Sequence, residues 1–214
     1  GRFLQDGEPV DVPCENLFRV VKTKEIPDLG TMEVYTNRDC LGYVDLYGVQ
    51  GVRNMFRGTF RYPGHCAAWT KIVELGLTDE DTTYDLPDGT MRQLMAAVAG
   101  VPAEEGLEQA LADRFEIGLD DNFFDRLNHI RLLSDDPLPA NPVSAMTVLV
   151  HQMEEYMTLG ADERDMVLLY DEFDVEFPDG RKELHRSVLL DFGVPNGDSA
   201  TARTVSLPAA VATH

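Results

Sequence analysis

Hydrophobic periodicity changes twice along this chain, and that order constrains the fold more than any single residue does. The opening stretch has strand character: Arg2 to Leu4 and Pro9 to Val12 flank the turn Gln5-Asp6-Gly7, and Leu17 to Val21 and Met32 to Tyr35 flank Pro27-Asp28-Leu29-Gly30. A short helix is expected after Asn37-Arg38-Asp39, with Asp39 as its cap, and Asn54 to Tyr62 then alternates as a strand. Pro63-Gly64 ends that strand. His65 to Leu75 takes helical spacing through Ala68, Trp69, Ile72 and Leu75, and Gly76 closes it. Three further amphipathic helices follow over Met91 to Val98, Leu107 to Phe115 and Phe123 to Leu133. A proline-rich loop from Asp135 to Pro142, of the kind that separates subdomains, precedes the longest helix, Val143 to Leu159. Its expected apolar face is Met146, Leu149, Val150, Met153 and Met157. The last third returns to period two, with Asp165 to Phe177 and Glu183 to Phe192 around Pro178-Asp179-Gly180. A final helix starts at Asp198 or Ser199 and is interrupted at Pro208. Strands first, a helical subregion over about 90–160, then a closing hairpin define an α+β domain with a mixed, largely antiparallel sheet, not an alternating βαβ array.

The chain's 214 residues fit one large domain or two small ones, and 43% hydrophobic with 26% charged residues excludes wholesale disorder. The net charge of −20 repels nucleic acid and anionic membranes, so neither is an expected partner. The acidic residues are scattered, which makes them a solvated surface in the first instance; the alternation Asp171, Glu172, Asp174, Glu176 reads the same way. Three cysteines without a CxxC pair, and no basic-plus-apolar leader, point to a reducing, cytoplasmic setting. Gly42, Gly48 and Gly51 have the wrong spacing for a dinucleotide cradle, and no phosphate loop appears. Gly197 to Thr201 lacks the closing glycine of a nucleophile elbow, and His151-Gln152-Met153-Glu154 lacks the second histidine of a zinc helix. No catalytic residue, metal ligand or cofactor-binding residue is therefore expected in this chain.

One segment carries positive chemistry. In Arg57-Gly58-Thr59-Phe60-Arg61-Tyr62 strand alternation places Arg57, Thr59 and Arg61 on one side, with Phe56, Phe60 and Tyr62 on the other and a gap at Gly58. Two guanidiniums and a hydroxyl on one face suit a carboxylate, because arginine offers paired donors matched to that shape; an ordinary exposed strand face is the alternative.

These residues also bring a family into view. The chain resembles the saccharopine dehydrogenase (glutamate-forming) family in four ordered segments: Tyr35-Thr36-Asn37-Arg38-Asp39, Arg57 to Gly64, Glu163-Arg164-Asp165-Met166-Val167 and Thr204 to Ala210. Cys40 departs from the pattern, standing where many relatives have serine. The resemblance implies that residues 1–214 are the substrate-binding and dimerisation domain of a parent whose Rossmann domain lies outside this chain and holds NAD or NADP. It implies oxidation of a secondary amine of saccharopine, or of a related amino acid, to an imine that water hydrolyses, within lysine metabolism. Substrate is expected to bind through Arg38, Thr59, Phe60 and Arg61, with Phe60 acting through its backbone. Arg38 and Arg61 are expected to converge on one anionic site, and Arg57 to turn away or pair with an acid. A homodimer is expected; the rival reading is a free-standing, non-catalytic carboxylate-binding or assembly module.

Overall fold

The structure, a computed structural model, describes residues 1–102 and 106–213 and divides into two compact units, Gly1–Met157 and Thr158–His214.

The first unit opens with a hairpin of β1 (Arg2–Gln5) and β2 (Glu8–Asp11). Its turn residues Asp6 and Gly7 both take positive φ, 53° and 91°, which an Asp-Gly pair accommodates. A three-stranded antiparallel sheet follows, with β4 (Gly30–Thr36) between β3 (Val21–Ile26) and β5 (Gly58–Arg61). Two of these strands differ from the sequence reading. The segment Leu17 to Val20 turns instead of extending, because the Phe18 ring folds back to stack on Trp69 (5.5 Å) and to meet Tyr35 edge-on (5.0 Å). The strand expected over Asn54 to Tyr62 shrinks to four residues, since upstream Met55 bridges to Leu4 of the first hairpin. The short helix α1 (Gly42–Leu46) follows the turn in which Asp39 accepts the Leu41 N–H.

Helix α2 (His65–Leu75) is entered through Gly64 (φ 84°) and left through Gly76 (φ 92°), so both ends lie where the glycines place them. Beyond it come β6 (Thr83–Tyr84), α3 (Met91–Ala99), α4 (Leu107–Phe115), α5 (Asn122–His129), β7 (Val143–Ser144) and α6 (Ala145–Tyr156). Thr90 and Gln93 close a capping box on α3, and Asp121 and Ser144 cap α5 and α6. One core joins these helices, with Ile72, Leu94, Leu111, Phe123, Leu127 and Val148 all buried in it. The proline-rich loop does not divide that core, because Val143 and Val148 beyond it pack with α2 to α5. The buried face of α6 is Ala145, Val148, Leu149 and Gln152, not the methionine stripe; Val150 and Met157 are exposed. Gln152 is tolerated inside because its amide donates to the Ile130 carbonyl at 3.0 Å.

The second unit pairs β8 (Met166–Glu176) with β9 (Lys182–Phe192) along their full lengths, followed by α7 (Ala200–Ala212). The Asp165 carboxylate accepts from Ala200 N, Thr201 N and Thr201 Oγ1, and Arg203 pairs with Asp191, which fixes the start of α7 to the hairpin. Pro208 lies inside α7 without ending it, and this 13-residue helix exceeds α6 in length. On the hairpin's acidic run, Glu172 takes Arg186 and Glu176 takes Lys182. The strands thus form four small antiparallel sheets among the described residues, and the α+β class read from the sequence holds.

Candidate functional site

The register of β4 and β5 decides which side chains meet. Thr59 lies opposite Tyr35 and Arg61 opposite Glu33, so these four share one face, while Phe60 pairs with Val34 on the other. Gly58 belongs to the Phe60 face, and the gap it leaves is filled: a Cβ there would stand 2.5 Å from Val34 Cγ1 and 2.6 Å from Phe56 Cε1. Beyond the ladder the Asn37 N–H donates to the Arg57 carbonyl, and Asn37 Nδ2 donates to Thr59 Oγ1 at 2.8 Å. Thr59 is thereby held in place by the residue that precedes Arg38.

Arg38 has left-handed backbone (φ 57°), a strained conformation for arginine, and is exposed. Its carbonyl accepts from Arg2 N at 2.8 Å, while its guanidinium takes no partner among the described residues. Antiparallel pairing sets Asn37 beside Arg57, so Arg38 follows one residue beyond the ladder, while Arg57 is four strand residues from Arg61, or about 13 Å of backbone. The two arginines expected to converge therefore sit toward opposite ends of one ladder. Arg61 Nη1 donates to the Phe60 carbonyl at 2.9 Å and its guanidinium lies 5.9 Å from the Tyr35 ring centre. Arg57 takes no acid; it donates to the Tyr43 hydroxyl at 3.3 Å over that ring.

The Glu33 carboxylate accepts from Gly64 N (2.8 Å) and Cys66 N (2.9 Å), so a neighbouring strand caps α2. Burial pushes its carboxyl up, but these two donors win and hold it below the usual range. The His65 ring is stacked parallel to Tyr35 at 6.3 Å. Burial first, then Arg61 and Arg126, lower its pKa from 6.5 to about 4 against the opposing pull of Glu33, so it is neutral at pH 7. Burial and the Glu33 hydrogen bond push the Cys66 thiol up to about 12.

The chain holds 38 acidic against 18 basic residues, yet among the described residues Arg38, Arg57, Arg61 and Arg126 form no ion pair with a carboxylate. Sequence reasoning missed Tyr35, Asn37, Glu33 and Arg126. Alternation on β4 exposes the first three as neighbours of Thr59 and Arg61, whereas nothing local to Arg126 marks it.

In class, this is an α+β domain in which Arg38, Arg57 and Arg61, at or next to the β4–β5 ladder, pair with no carboxylate among the described residues. The family described as the saccharopine dehydrogenase C-terminal domain matches residues 1–214, and the chain belongs to it. It is 31% identical over 98% of its length to the mitochondrial alpha-aminoadipic semialdehyde synthase of Rattus norvegicus, of which it covers 23%. It is 29% identical over 99% of its length to saccharopine dehydrogenase (NADP(+), L-glutamate-forming) of Saccharomyces cerevisiae, of which it covers 49%. The structure of apo histidine-tagged saccharopine dehydrogenase (L-Glu forming) from Saccharomyces cerevisiae superposes over the whole chain with a TM-score of 0.86 at 27% identity, again covering 49% of that protein. The chain thus spans between about a quarter and half of the length of these relatives.

Proposed function

We propose that this domain binds the substrate and mediates dimerisation in a cytoplasmic, NADP-dependent saccharopine dehydrogenase-like oxidoreductase acting on the C–N bond of saccharopine or a related amino acid. NADP is favoured over NAD because it stands in the name of the relatives from Saccharomyces cerevisiae and Schizosaccharomyces pombe. The observation that carries the reading is the set of arginines left without acids along the β4–β5 edge of so acidic a chain. A guanidinium with no acid partner keeps its paired donors available for a ligand carboxylate. Arg38 at one end and Arg61 at the other suit an extended ligand with carboxylates at both ends, and Thr59, steadied by Asn37, offers a hydroxyl between them. Phe60 contributes its carbonyl, which orients Arg61.

The residues present do not fit a dinucleotide. The glycine turn from β5 into α2 is the place where a strand feeds a helix through glycine, but Glu33 already covers the Gly64 and Cys66 N–H groups and would repel a phosphate. This chain's part is to bind and orient substrate. Calorimetric titration with L-saccharopine tests the reading: Arg38→Lys and Arg61→Lys keep charge but lose paired donation, and each should weaken binding by about 1.5–3 kcal/mol. NADH and NADPH should give no saturable heat. Wild-type affinity in both lysine variants would show that the site lies elsewhere.

A further inference from the structure

We infer that Arg126, on α5, is a ligand-positioning residue that joins Arg61 in holding one carboxylate at the β5–α2 turn, at the end of the ladder opposite Arg38. The inference rests on the reading above and narrows it to ligands with a carboxylate at each end. Arg126 Nη2 lies 3.5 Å from where a Cβ on Gly64 would stand, and Gly64 follows Arg61 by three positions. Its Nε donates to Asn122 Oδ1, one turn back on α5, at 2.5 Å, which fixes the aim of the guanidinium toward that turn. Arg126 thus reaches this turn from α5, while the Arg61 guanidinium lies 5.9 Å from the Tyr35 ring on which His65 stacks, and both act electrostatically on His65. Glu33, the acid at that turn, is committed to the Gly64 and Cys66 N–H groups and forms no ion pair with either arginine. The remaining N–H donors of Arg126, among the described residues, have no acceptor. A guanidinium with free donors at the turn, with Arg61 three residues before Gly64 and the backbone donors already occupied, describes a seat for one carboxylate.

The test reads His65 by NMR alongside calorimetry, with L-saccharopine, glutarate and acetate as probes. A carboxylate between the two arginines offsets their field, so saccharopine or glutarate should raise the His65 titration midpoint from about 4 in the wild-type chain. Arg126→Gln, which retains a hydrogen-bonding amide, should raise that midpoint without ligand and weaken saccharopine binding by about 10–100-fold. Arg126→Lys should fall between the two, and it carries the test if the glutamine variant does not fold. Acetate should bind far more weakly than saccharopine, having nothing for Arg38. If both Arg126 variants bind saccharopine as the wild type does while Arg61→Lys is impaired, the inference fails and the substrate-site reading stands. If neither Arg38→Lys nor Arg61→Lys is impaired, or if the wild-type His65 signal ignores millimolar saccharopine, both fall together.

Discussion

At the scale of single residues, Glu33 and His65 couple the candidate site to stability. Glu33 holds two N–H groups at the start of α2, so Glu33→Ala should cost about 1–2 kcal/mol in urea unfolding, the range for a lost helix cap. The two residues also separate by pH. His65 has its folded pKa lowered from 6.5 to about 4, so the fold favours the neutral ring; that contribution is complete above 6.5 and is lost as pH falls toward 4. Glu33 is likewise depressed, but as a carboxyl, so its contribution is present above the ordinary carboxylate range and is lost only as pH falls through its lower folded value. His65→Phe keeps a ring against Tyr35 and removes the titration. It should flatten the loss of stability between pH 6.5 and 4 and leave the steeper acid limb intact, as pH-dependent urea midpoints would reveal. Arg61 was legible in the sequence because strand alternation is local. Arg126 was not, because its relevance arises only when α5 packs beside α2, a long-range contact with no local signature.

At the scale of elements, Gly58 shows how a missing side chain sets a strand. Its φ is not positive, so conformational freedom is not the reason for glycine; space is. Gly58→Ala would drive a Cβ into Val34 and Phe56 and should cost about 1–3 kcal/mol, the scale of overpacking. In a Val34→Ala background the same change should cost measurably less, a coupling that a double-mutant cycle in urea would resolve. Equal costs in both backgrounds would mean that packing is not what demands glycine. The same logic explains which elements the sequence disclosed. Helices α2 and α4 match their expected bounds, and for α2 the flanking glycines stand in plain view. Strand β3 was misplaced because Lys22 and Lys24 look like solvent residues, yet the Lys22 ammonium lies 4.3 Å from the Phe56 ring centre. On α6 the buried face was displaced because Gln152 reads as polar, and only the Ile130 carbonyl, distant in sequence, makes its burial tolerable.

At the scale of the whole molecule, the hairpin of the second unit carries the argument for self-association. No residue of β8 or β9 is buried, although both strands are apolar over much of their length. Register places Leu169 opposite Leu189, at 53% and 45% exposure, and Phe173, at 59%, on the same face. Tyr170 pairs with Val188 on the opposite face, so apolar area lies on both sides. A two-stranded hairpin with unburied faces is marginal in water by itself, and α7 is fixed to its base through Asp165 and Arg203 without burying either strand. A two-fold partner that covers the Leu169–Leu189 face would supply the missing burial, since one self-complementary patch suffices for a symmetric dimer. Light scattering should therefore give a dimer mass at micromolar concentration. With a net charge of −20, added salt should tighten the dimer by screening repulsion, not loosen it. Leu169→Asp and Leu189→Asp should each give monomers at the same concentration, with the helical core of the first unit still unfolding cooperatively. A monomer mass for the wild type at every salt and concentration, or a dimer undisturbed by both aspartates, would remove this hairpin from the interface.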